Sequence, residues 1–372
     1  MSHLLRRLSL SRLLLLCGLV VALGIGATAL ASALGTGPTP PRKPLAEAIH
    51  DALAGAGSEQ VQGVTAQVQW TDRLLEGANL ASGGGEASQL TKSPLISGAS
   101  GRLWISKDGH VRLELESEKG DTQIYYDGST VQMYDASSNT LYRYTPTAQA
   151  GGSNCAGLPP GQSCTDGHET PSVTKIEEAI SHVREHANVL EAEPADIAGQ
   201  AAYTVHVSPK ETGSLLGGAE LSFDAVHGVP LRAAVYSTES SAPALELAVT
   251  KISYGPVESS IFQFTPPSTA TVDEIKSPEH SGADSSEGGE HPTVTTHGQG
   301  LSTIAVLEAK AKSGSSPPSL PEGLQQVKIN GVNASELPTE LGTLLTFERS
   351  GVRYLLAGAL PPSAVEAVAK GL

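Results

Sequence analysis

The chain has 372 residues, a formal net charge of -15, 39% hydrophobic residues and only 4% aromatic ones. Length allows one large domain or two moderate ones. The acidic balance excludes nucleic acid as a partner, because no basic cluster is available to neutralise phosphates. With 40 glycines and 24 prolines the composition favours a turn-rich β protein over a helical one.

The first element is an export signal or membrane anchor over residues 1–34. Arg6, Arg7 and Arg12 precede an uncharged apolar run that ends in small residues, the order of a signal sequence. Ala-x-Ala sites end at Ala31 and Ala33, yet the apolar run is also long enough to cross a bilayer uncut. Cleavage and retention both stay open. Either outcome places the remainder outside the cytoplasm, in the periplasm or cell envelope or secreted, with the arginines inside. Cys17 follows Leu16 rather than a small residue, so it is read as part of the signal and not as a lipid-attachment site.

Residues 35–44 form a proline-rich spacer. Leu45, Ile49 and Leu53 then recur at helical spacing, and Gly55 ends a short amphipathic helix. In "VTAQVQW", Val64, Ala66, Val68 and Trp70 alternate with polar residues, which predicts a half-buried antiparallel strand. Residues 76–100 are Gly/Ser-rich and read as a mobile loop. Two hairpins follow. The first turns at Lys107-Asp108-Gly109, with Val111, Leu113 and Leu115 on one face of its second strand; the other turns at Asp127-Gly128, with Ile124, Tyr126, Val131 and Met133 available to one face. "TLYRYT" adds a strand.

Cys155 and Cys164 stand in a Gly/Pro loop. In an exported chain, two close cysteines without a C-x-x-C pattern read as a disulfide that staples the loop. From Ser172 the period lengthens: Ile176, Ala179, Ile180, Val183, Ala187 and Leu190 form one stripe of a helix of about four turns. Strands resume in "AAYTVHVS", "AELSFDA", "PLRAAVYS", "LELAVTKISYG" and "IFQFTPP", giving about ten strands with short connections and hence an antiparallel sheet. Residues 276–300 are polar and Gly/Ser-rich, the composition of a disordered linker; His280, His291 and His297 within it are read as solvated residues. Residues 301–372 form a small α+β unit. It holds a helix or strand at "LSTIAVLEAKAK", a strand at "QQVKING", a hairpin turning at Ser350-Gly351, and a closing helix with Val365, Val368 and Ala369 on one side.

Within residues 45–275, five stretches occur in a familiar order: "GRLWISKDGHVRLE", "IYYDGSTVQMYD", "IAGQAAYTVHVSPK", "FDAVHGVPLRAAVYS" and "ISYGPVESSIFQFTPPSTATV". Together they resemble the LolA-like superfamily, which includes the periplasmic lipoprotein carrier LolA, the amino-terminal domain of the RseB/MucB regulators, and lipid-binding lipoproteins. The resemblance implies a mainly β, α+β fold, in which a curved antiparallel sheet forms an incomplete barrel covered by helices. It implies a non-enzymatic protein without cofactor that holds a lipid or the acyl chains of a lipoprotein, or one that binds a membrane-bound anti-sigma factor or transporter. The loop at 76–100 and the cysteine loop depart from the family pattern and are placed to reshape such a groove.

The residues support a groove independently. If two helices cover the apolar face incompletely, Val68, Trp70, Leu113, Leu115, Tyr126, Val131 and Met133 are left to line it. Each acyl methylene buried there contributes about 0.8 kcal/mol before ordering costs. A rival chemistry is spelled by His182-Val183-Arg184-Glu185-His186, which fits the H-x-x-E-H pattern of inverted zinc peptidases. Two histidines one turn apart can share an ion, but they fall beside the apolar stripe. No second helix supplies a third ligand, so they read as surface residues. No metal site and no catalytic residue is expected. Nucleophile-elbow and phosphate-loop motifs are lacking in the sequence.

Overall fold

The structure, a computed structural model, describes residues 37–56, 61–76, 94–118, 120–145, 170–275, 293–310 and 324–372. The amino-terminal signal and the Cys155–Cys164 staple lie outside the described residues. Among the described residues no helix is long and apolar enough to cross a membrane.

Helix α1 (Leu45–Ala56) leads into strand β1 (Gly63–Asp72). After the four-residue helix α2 (Pro94–Ser97) come β2 (Ala99–Ser106), β3 (Val111–Ser117), β4 (Gly120–Tyr126), β5 (Val131–Asp135) and β6 (Thr140–Tyr144). Helix α3 (Val173–His186) is followed by β7 (Ala187–Val189), β8 (Glu193–Ile197), β9 (Gln200–Pro209), β10 (Leu216–Asp224), β11 (Pro230–Ser237), β12 (Pro243–Tyr254) and β13 (Thr271–Ile275). These strands form one 13-stranded sheet in the order β13-β6-β5-β4-β3-β2-β1-β12-β11-β10-β9-β7, with β8 also on β9. The sheet is curved and does not close on itself. Two of the expected hairpins are present, turning where Gly109 and Gly128 adopt positive φ. Asp127 ties its turn together by accepting from the Ser129 and Thr130 backbone N–H groups.

Four details differ from the sequence expectation. The predicted strand "IFQFTPP" is instead a 3₁₀ turn (Ser259–Phe262) and an extended strap across the outer face. Pro266 and Pro267 lack the N–H groups a ladder needs. The strap then feeds β13, which pairs with β6 in parallel, so the sheet is not antiparallel throughout. The helical stripe also stops early. At Ala187 the chain turns extended and joins β9, leaving Val183 and Leu190 exposed, while Ile176 is buried and Ile180 packs beside α1. Finally, the stretch read as loop up to residue 100 contains α2 and the start of β2.

The second unit is a six-stranded sheet in the order β14-β15-β19-β18-β17-β16. Its strands are β14 (Thr293–His297), β15 (Ile304–Lys310), β16 (Gln325–Ile329), β17 (Val332–Thr339), β18 (Gly342–Arg349) and β19 (Val352–Gly358). Residues 293–297 belong by composition to the linker, yet the run Thr-Val-Thr-Thr is β-branched and pairs with Ile304–Glu308 as an edge strand. Helix α4 (Pro362–Gly371) lays Val365 and Ala369 on Val306, Leu345 and Leu356. The two units touch through Leu75, which packs with Leu324, Leu337 and Leu344, and through Leu215 N–H donating to the Ala359 carbonyl at 2.8 Å.

Candidate functional site: the inner face of the half-barrel

The two faces of the large sheet differ because strand side chains alternate. The inner face carries the helices. Leu45, Ala48 and Ala52 of α1 pack on Tyr203, Val205 and Phe223, which closes the β9–β10 part. On the β1–β6 part, strand register lines up two cross-strand rows. One runs Val64, Ile105, Val111, Tyr126, Val131 and Tyr144; the other runs Ala66, Leu103, Leu113, Ile124, Met133 and Tyr142. Val64 and Ala66 are buried, whereas all ten residues on β2–β6 are only partly buried. The result is an apolar trough, closed at β1 and open toward β13.

All seven residues expected to line a groove fall on this inner face. Leu113, Tyr126, Val131 and Met133 lie in the trough. Val68 and Leu115, only 2% and 1% exposed, meet across Gly101 in the core and present no free surface. A side chain at Gly101 would strike the Glu114 carbonyl oxygen at 1.9 Å, so this close approach needs glycine. Trp70 sits at the α2 plug, where its indole N–H donates to the Leu95 carbonyl at 2.8 Å. Leu103, Ile105, Val111, Ile124, Tyr142 and Tyr144 complete the surface; their alternation within each strand signals the face, but only the register joins them into rows.

The outer face of the same strands is sealed differently. Phe264 from the strap stacks on Tyr125 at 4.6 Å and packs on Tyr134 at 5.5 Å. The Arg112 guanidinium donates to the Ile261 carbonyl at 2.7 Å, pairs with Glu114, and lies over the Trp104 and Tyr125 rings. Burial raises the Tyr125 hydroxyl pKa. Further along, Arg232 is clamped between Glu220 and Glu246, with Tyr236 hydroxyl donating to Glu220 at 3.1 Å. Desolvation raises the Glu246 carboxyl against the opposing pull of Arg232.

Two carboxylates lie outside the trough, Asp72 half-buried and Asp224 buried. Asp72, at the end of β1, accepts from the Leu74 N–H at 2.7 Å, and burial pushes its pKa up to about 6. Asp224 is also desolvated, but hydrogen bonds from the Tyr254 hydroxyl at 2.6 Å and from the Val226 and His227 backbone outweigh burial and lower its pKa. Burial, reinforced by that carboxylate, raises the Tyr254 hydroxyl pKa, while the His227 ring stacks on Tyr254 at 3.9 Å. This knot locks the β10–β11 turn.

The zinc-peptidase pattern does not assemble. The His182 and His186 side chains are 79% and 65% exposed, and each lies near Glu185 rather than in a pocket. No group of three metal-ligating side chains occurs among the described residues.

The chain is similar to several solved structures. Pseudomonas aeruginosa MucB, solved as the MucA/MucB complex, is 14% identical, with 86% of this chain and 96% of that one covered and a TM-score of 0.43. A second structure of MucB in complex with MucA is 13% identical, covering 87% and 97%, at 0.42. A LolA superfamily protein from Nitrosomonas europaea is 11% identical, covering 59% and 98%, at 0.23. No protein-family model and no curated protein matches the sequence. The architecture itself is an open, curved sheet of mostly sequential hairpins, with helices on its inner face.

Proposed function

We propose that this protein is an extracytoplasmic binding protein that holds acyl chains of a lipid or lipid-modified protein in the β2–β6 trough, without catalysing a reaction. One observation carries the reading: ten partly buried, mostly aliphatic and aromatic side chains form two unbroken rows on the helix-bearing face, beyond the reach of α1. Ordinary surface strands alternate polar residues toward water, whereas these rows expose apolar groups, the mark of a surface meant to be covered. Four strand spacings of about 4.8 Å give a path of roughly 19 Å from β2 to β6, suited to an extended long acyl chain. Desolvation of that chain supplies the affinity.

The test is native mass spectrometry of protein purified gently from a membrane-containing host, followed by uptake of a fluorescent acyl probe after delipidation. A co-purifying lipid mass, and loss of uptake in Leu113→Glu or Met133→Lys with folding intact, is expected. Protein that is empty on isolation and takes up no probe ends this reading.

A second reading, a regulator that binds a membrane-bound anti-sigma factor or a transporter, is favoured by the edge strands. Val272 and Ile275 on β13 and Val294 on β14 are exposed apolar residues at sheet edges, a surface to which an extended segment can add. A stable complex with such a partner in the absence of lipid would decide for it.

A further inference from the structure

A cavity of about 380 Å³ opens on the outer face of β9–β11, on the opposite side of the sheet from the trough. Its walls include Leu190, Glu193, His206, Ser208 and Tyr236. The floor is a β-bulge, where the register of β10 against β11 slips between Leu216 and Gly218. A side chain at Gly217 would strike the Ser237 carbonyl oxygen at 2.6 Å, and one at Gly218 the Val207 carbonyl oxygen at 2.8 Å. The paired glycines therefore permit the bulge, and the bulge interrupts the sheet surface where the cavity lies.

Charge around this cavity does not balance. Glu220, 8% exposed, lies at its base, 3.5 Å from His206 Nδ1 and accepting from the Tyr236 hydroxyl at 3.1 Å. Arg232 is shared between Glu220 and Glu246. Glu193, on the wall, is exposed and has no ion pair among the described residues. Three carboxylates thus stand against one guanidinium and one imidazole, which leaves negative charge in excess even with His206 protonated. The cations flanking β7 are engaged elsewhere: Arg184 pairs with Glu191 at 2.9 Å, and Lys210 donates to the Arg184 carbonyl.

An anion is repelled from such a site and a cation is drawn to it. Carboxylates only accept hydrogen bonds, so an ammonium that carries N–H groups is preferred to a quaternary one. Leu190, 52% exposed, and Tyr236 offer apolar and aromatic wall to a short aliphatic stem. We propose that this cavity binds a primary ammonium on a short aliphatic stem, with Glu193 and the Glu220–His206 pair as its charged partners. A free alkyl diamine and the ethanolamine head of a phospholipid share this chemistry.

The experiment is saturation-transfer NMR titration of the intact protein at low ionic strength with cadaverine, glycerophosphoethanolamine, choline, glucose and acetate. At least one of the two primary-ammonium probes is expected to bind tenfold or more tightly than the other three, and the tighter of the pair names the source. Loss of a charged hydrogen bond in Glu193→Gln should weaken that probe by about tenfold. Leu190→Lys, which tethers a competing ammonium at the rim, should abolish its binding. Glu185→Gln, at an exposed carboxylate on α3, should leave it unchanged. Equal binding of choline, glucose or acetate, or full binding by both cavity variants, overturns the ammonium assignment. Binding of none of the five overturns the site, and either failure leaves the acyl-holding reading standing.

Discussion

Over β9–β10 the inner face lies beneath α1 and is core: Tyr203 and Phe223 are 2% and 5% exposed. Over β2–β6 the same alternation leaves the apolar residues only partly buried. The outer face reverses the pattern, since the strap seals Tyr125, Tyr134 and Leu141 behind the very strands whose inner face is open. The strap therefore braces these strands from the outer side, while Leu103, Ile105 and Leu113 of the inner side pack against the core at β1.

The comparison breaks most visibly at charge. Arg232→Met would strand Glu220 and Glu246 beneath the outer surface of the covered half, and a loss of about 3–5 kcal/mol in urea unfolding is expected. Core truncation comes next. Leu115→Ala removes a fully buried side chain and should lower stability by about 2–5 kcal/mol, whereas Met133→Ala in the trough should cost about 1 kcal/mol or less. Equal losses at the two positions would mean that the trough is core like the rest.

Asp72 sharpens the boundary between the halves through pH. Its folded-state pKa is raised by burial to about 6 from 3.8, so the native state binds the proton more tightly than the unfolded chain. Its penalty is absent below about pH 4, grows as pH rises through about 6, and is complete above that. Asp72→Asn keeps the acceptor for Leu74 N–H. It should raise the melting temperature at pH 7 and leave it unchanged at pH 4; a pH-independent gain would place the effect elsewhere. The smallest expectation concerns α3: His182→Ala with His186→Ala should shift stability by no more than about 0.5 kcal/mol, measured by thermal melting, with or without zinc.

Much of this was legible in the residues. Period-two patterns placed β1 to β6, and Asp127-Gly128 and Asp108-Gly109 placed their turns, because left-handed turn positions admit few residue types. All seven proposed groove residues share a face for the same reason. What pattern could not separate was Leu115 from Leu113. Both alternate correctly and stand two residues apart on β3, but Leu115 is buried with Val68 in the core whereas Leu113 is only partly buried. The strap was missed because "IFQF" has strand propensity, and only the position of Tyr125 and Tyr134 decides that Phe264 is worth more stacked on rings than paired in a ladder. The apolar period runs on to Leu190, but pairing of Ala187–Val189 with β9 ends the helix at His186 and leaves Leu190 exposed.

Sequence alone therefore determined the conformations of β1 to β6, the two-faced character of those strands and the acidic, β-rich class, since these follow from backbone sterics and nearest-neighbour spacing. Tertiary structure decided which apolar residues are core and which are trough, and which sheet edges stay open. Those properties depend on where α1, α2 and the strap come to rest, and their resting places are set by contacts between residues far apart in the chain.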